Sequence, residues 1–226
     1  MYGGIFYADG EKIKENKVVT KERVWKGKQE VKDLLLDFIA TEPNEKKDTI
    51  MEVSVWKALF RKKVFDEYDI SFVSERQFIS EDVIFDIDYL SKCNCVVAIP
   101  EPVYFYCVNP NSLSKVFRTD RFNKVKKLYK EILKKLIPIY GEELSNRRGD
   151  RFLIARARTN ARQIIRHEKI IGKNKMMKAL HNICEDQDMN EIFQRYPIHL
   201  LPLKYRLVAY LMKYRCYHLL KIILGR

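Results

Sequence analysis

Glycine and proline are scarce, eight and seven among 226 residues, which excludes a collagen-like or low-complexity chain. Cysteine is too sparse and irregular for a disulfide framework. Cys93, Cys95, Cys107, Cys184 and Cys216 are odd in number, form no CxxC pair and have no histidine at zinc-finger spacing, so they read as reduced thiols in a cytosolic protein. Cys93 and Cys95 are expected on one face of a strand as small buried hydrophobes. The four histidines are scattered, with no motif partner. Long apolar runs are also missing. The apolar C-terminal stretch LVAYLM at 207–212 is far below the roughly 20 residues needed to cross a bilayer. MYGGIFYADGEK lacks the basic and apolar regions of a signal peptide. The expectation is a cytoplasmic protein, neither secreted nor membrane-crossing.

What is present argues for a packed chain. Hydrophobic residues make up 46% and aromatics 12%, which excludes a disordered polyelectrolyte, and the length suits one domain or two small ones. The net charge of +13 is unevenly placed: residues 1–110 carry 16 cationic and 20 anionic side chains, residues 111–226 carry 27 and 10. A mixed, mildly acidic region to about residue 115 and a basic helical region over 116–226 are therefore expected.

Asp9-Gly10, between aromatic and β-branched residues, predicts two short strands around a turn. Apolar residues at helical spacing predict helices over 29–40, 53–62 and 80–91, with a polar loop over 41–49 and an extended piece at 70–73. CVVAIP (95–100) and VYFYCV (103–108) read as two strands, and NPNS (109–112) as a turn. Beyond residue 118 the pattern is all helical: 122–139, 151–171, 175–183 and 203–224.

The most informative stretch is SERQFISEDVIFDIDYL at 74–90. Glu81 and Asp82 open a helix, where a carboxylate is favoured by the helix dipole and is also held in a fixed direction for general-base work. Capping and catalysis are both open readings. The literal DxD, Asp86-Ile-Asp88, is not read as a metal site, because residues two apart on a helix diverge by about 200°.

Three ordered blocks, SVWKALFRKKVF (54–65), FVSERQFISEDVIFDIDYL (72–90) and CVVAIPEPVYFYCVNPNSLS (95–114), resemble the family 2 glycosyltransferases of bacterial surface polysaccharide synthesis. They look like the family's Trp-containing helix, its ED motif, and its strand pair with a Ser-bearing loop. The resemblance implies an α/β fold, the later part of a GT-A (Rossmann-like) domain followed by a helical C-terminal extension. It implies an inverting transfer from a nucleotide-sugar donor to a saccharide or lipid-linked acceptor, with Asp82 as base, Glu81 beside it on the acceptor, Ser112 near the donor diphosphate, and Trp56 in packing. It also implies a divalent metal, Mg or Mn. The sequence departs from the family at Cys107, where arginine is frequent, and at Ala58, where lysine is. Nothing in residues 1–53 looks like the nucleotide-binding half with its DxD motif. The expectation is therefore an acceptor-side part of such an enzyme, inactive alone, with the metal site outside this chain.

In the basic half, Arg158, Arg162 and Arg166 at i, i+4 and i+8 form a ridge, either a solvated face or a contact for lipid or acceptor phosphate at an anionic membrane surface. The stretch from His199 to Arg226 carries six Lys and Arg and no acid, suiting the inner membrane face or packing against another helix. The rival function is nucleic-acid binding through the basic half. Against it, no helix-turn-helix, zinc or RNP signature is present, so no nucleic-acid partner is expected. A non-catalytic membrane-peripheral role is the third reading.

Overall fold

The computed structural model describes residues 1–51, 54–109, 118 and 120–225. The chain forms two compact units. Unit 1 comprises Met1–Ile39 and Thr49–Val116, and unit 2 comprises Ala40–Asp48 and Phe117–Arg226.

Unit 1 is mixed α/β. Strands β1 (Tyr2–Asp9), β2 (Lys12–Asn16), β3 (Arg23–Lys26) and β4 (Cys95–Cys107) form one sheet in the order β2-β1-β4-β3. β1 pairs antiparallel with β2 through the Asp9-Gly10 turn, where Gly10 has φ 59°, and parallel with β4. The two expected strands at 95–108 are one strand, despite Pro100 and Pro102. β3 covers only Cys95–Ala98, so beyond that point one side of β4 is an edge, where a missing N–H costs no ladder bond.

Helix α1 (Lys28–Ile39) buries Val31, Leu34, Leu35, Phe38 and Ile39, the stripe its spacing predicts. The helix expected over 53–62 is instead a 3-10 turn at Val55–Lys57 followed by α2 (Lys62–Tyr68). Long-range pairing overrides local periodicity here: Leu59 N–H donates to the Met1 carbonyl at 2.8 Å and Ala58 bridges Tyr2. Helix α3 (Glu81–Leu90) buries Val83, Ile84, Phe85, Ile87 and Leu90. Phe60, Phe65, Phe72 and Tyr89 cluster around Phe85 with ring centroids 4.2–6.2 Å apart. Cys93 lies in the turn after α3 and Cys95 is exposed at the start of β4, so they are not a buried pair on one strand face.

Unit 2 is helical: α4 (Arg121–Tyr140), α5 (Glu142–Arg166), α6 (Glu168–Ile171), α7 (Lys173–Cys184), α8 (Gln187–Arg195), α9 (Leu203–Lys213) and α10 (Tyr217–Gly225). Helix α8 has a cap that sequence reading passed over, since the Asp186 carboxylate accepts from Met189 N–H at 3.3 Å and Met189, Ile192 and Phe193 are buried. The single helix expected over 203–224 is broken at Arg215, φ 58°, so the basic tail is two short helices. Their inner faces bury Val208, Ala209, Met212, Leu220 and Leu224. No helix among the described residues is long and apolar enough to cross a membrane.

The segment Ala40–Asp48 is fastened by arginines of α5. Arg151, 1% exposed, donates to the carbonyls of Pro43, Glu45 and Lys47 at 2.7, 3.0 and 3.3 Å. Arg148 donates to Ala40 at 2.7 Å and pairs with Glu42 at 3.1 Å.

Candidate functional site

Helix α3 starts at Ser80, whose φ of 63° turns the chain sharply into the helix without a side-chain cap. The capping falls to Asp82, whose Oδ1 accepts from Val83 N–H at 3.0 Å. Glu81 and Asp82 are both half-buried.

Four residues on, Asp86 occupies the same helix face, with Cβ atoms at such spacing about 5–6 Å apart. Asp86 is 1% exposed. Its Oδ1 accepts from the Tyr2 hydroxyl at 3.0 Å, and its Oδ2 has no hydrogen-bond partner among the described residues. Burial pushes its carboxyl up to about 7; the Tyr2 bond and the charge of the buried Lys57 oppose this, while the charge of Asp82 adds to it. The Tyr2 hydroxyl is itself driven well up by burial and by Asp86. Two carboxyls one turn apart thus have unlike surroundings, one half-buried at a helix start, the other sealed and titrating near neutrality.

The sequence reading missed Asp86 as part of this group because it weighed Asp86 only against Asp88. Asp88 is half-buried and diverges from Asp86 as the helical period requires. The available signal was the i, i+4 relation to Asp82. Trp56, next to Lys57 in the chain, is exposed and stacks on Tyr104 and Tyr106 at 4.7 and 5.5 Å, with Tyr7 5.4 Å from Tyr106. It therefore belongs to a partly exposed aromatic row and not to the core.

Ser112 lies outside the described residues. Among the described residues no group of three or more His, Cys, Asp or Glu could hold a metal ion, so the divalent metal implied by the resemblance has no ligand set here and enters no step below.

In unit 2, Arg158 does not join Arg162 and Arg166 as an outward ridge. Its guanidinium pairs with Asp48 and lies 3.9 Å above the Tyr205 ring, because that half-buried position offers a carboxylate and an aromatic face together. Arg162 is half-buried and Arg166 exposed. Other cations of the basic half are committed internally as well: Arg195 to Asp150, Lys126 to Asp186 and Asp188, Lys221 to Glu168, and Lys213 to the Phe193 carbonyl. These cations therefore already have partners within unit 2.

No family model, no curated protein and no solved structure matches this chain.

Proposed function

We propose that unit 1 is the acceptor-side part of a glycosyltransferase, with Asp82 as the general base. The observation that carries this reading is the pair Asp82 and Asp86 on one face of α3, within the segment that resembles the family 2 ED motif. Unlike environments suit two nearby carboxyls to different roles: Asp86 is sealed, and the half-buried Asp82 is the one an acceptor hydroxyl can reach. Asp82 takes the proton of an acceptor hydroxyl, and that oxygen attacks the anomeric carbon of the donor sugar. The bond from that carbon to the diphosphate breaks with inversion, and the nucleoside diphosphate leaves. Glu81 contacts the acceptor. Exposed Trp56 and Tyr104, backed by half-buried Tyr106, support an acceptor of the saccharide class, since an exposed apolar patch marks a ligand surface.

Saturation-transfer NMR with a panel of oligosaccharides tests the acceptor role. Signal transfer is expected with the native chain and is reduced in Trp56→Ala; no contact with any saccharide would remove the reading. Transfer from nucleotide sugars, with a donor-binding half of the family supplied in trans, then tests the base. Asp82→Asn is expected to lower the rate about 10²- to 10⁴-fold, whereas an equally active variant would assign Asp82 to capping alone.

A further inference from the structure

Unit 2 contains a cleft of about 290 Å³ between the first turn of α4, the C-terminal half of α5, and α7, which the glycosyl-transfer reading leaves unused. Its charge is of one sign. Arg118, Arg121, Lys175 and Lys178 line it, and no Asp or Glu does. Arg118 pairs with Asp120 at 3.3 Å, but among the described residues no carboxylate pairs with Arg121, Lys175 or Lys178. Burial pulls the Arg121 guanidinium below its ordinary range, and the charges of Arg156 and Arg118 add to this. Arg118 and Arg121 are half-buried and Lys175 and Lys178 exposed at the mouth, and like charges gathered around a hollow favour an anion among them.

The backbone has the same sign. Arg121, Phe122 and Asn123 are the first turn of the 20-residue α4, which has no acidic residue in that turn and no side-chain cap from Asp120. The positive end of its dipole favours an anion. Asn160 lines the cleft although only 4% exposed. Its Nδ2 donates to the Arg156 carbonyl at 2.9 Å, while its side-chain oxygen has no partner among the described residues.

We propose that this cleft binds a phosphate-bearing small molecule. Arg121, Lys175 and Lys178 face the phosphate, which sits at the positive end of α4. Asn160 accepts from a hydroxyl or amine of the attached group. Phosphate fits better than carboxylate because its roughly −1.5 to −2 charge and three acceptor oxygens match several donors at once. The volume, near the roughly 300 Å³ lower end for ligand pockets, suits a phosphate with a short attached group. The site uses no residue of unit 1, so it stands or falls apart from the glycosyl-transfer reading.

Calorimetry on the full chain with inorganic pyrophosphate tests it, beside flotation with phosphatidylcholine vesicles with and without phosphatidic acid. One saturable site for pyrophosphate is expected, weakened about 10- to 100-fold by Arg121→Gln and also by Lys175→Gln and Lys178→Gln, two exposed positions that do not threaten folding. Lys169→Gln, an exposed cation outside the cleft, should bind as the native chain does. Arg121-dependent binding to phosphatidic acid vesicles without pyrophosphate binding would place the phosphate on a lipid headgroup and support the site. Absence of Arg121-dependent binding to either probe, or an equal loss in Lys169→Gln, would overturn it.

Discussion

Two aspartates, one in each unit, are buried beside a tyrosine and differ in one respect. Asp86 is 1% exposed and accepts from Tyr2 at 3.0 Å; Asp150 is 2% exposed and accepts from Tyr129 at 2.8 Å. Asp150 also receives two bonds from Arg195, each 2.7 Å, a bidentate fork that occupies both oxygens. Asp86 has no such fork, and its Oδ2 is left without a partner among the described residues. The same pair of residue types is thus a closed structural fastening in unit 2 and an open, titrating group in unit 1. An incompletely satisfied buried polar group costs stability, and such exceptions collect at functional sites.

The largest effect expected from this contrast is in pH dependence. With its folded value raised from 3.8 to about 7, Asp86 keeps its proton in the native state where the unfolded chain releases it. Stability is therefore lost as pH rises from about 4 to 7, by on the order of 4 kcal/mol, and the loss is complete above 7. Urea unfolding of the native chain and Asp86→Asn should show the variant more stable at pH 8 and the gap shrinking toward pH 4. A gap independent of pH would mean that Asp86 is not the titrating group. Next in size, Arg195→Met should convert Asp150 into a second Asp86. A loss of about 3 kcal/mol is expected at neutral pH, at the low end for a broken buried pair because Arg195 is 44% exposed, with partial recovery in acid. A pH-independent loss would indicate packing alone. The smallest effect separates the tyrosines. Tyr129→Phe leaves Asp150 its arginine and should cost about 1 kcal/mol, whereas Tyr2→Phe leaves Asp86 without its hydrogen bond and should cost about 1 kcal/mol more; equal midpoints would erase the distinction.

The parts legible in the sequence are those decided by nearby residues. The apolar spacing of Val31, Leu34, Leu35 and Phe38 foretells α1, Asp9-Gly10 foretells the first hairpin, and Glu81-Asp82 marks the head of α3. What was not legible depends on distant partners. Met1 draws Leu59 out of a helix; β3 stops short of Pro100 and so permits one long β4; and Arg215 breaks the last helix without a glycine or proline to announce it. The candidate site divides in the same way. Asp82 is visible as the start of a helix, but the burial of Asp86 needs Tyr2, 84 residues away. The charge of Arg158 could not be assigned without Asp48, 110 residues earlier.

The fastening of Ala40–Asp48 by α5 has a consequence for synthesis. The acceptor carbonyls of Pro43, Glu45 and Lys47 are translated 104–108 residues before Arg151, so at about 5–20 residues per second they wait roughly 5–20 s on the ribosome for their guanidinium. Unit 1 spans both sides of that segment in sequence, and a nascent chain halted at residue 116 would carry all of unit 1 with an unfastened loop inside it.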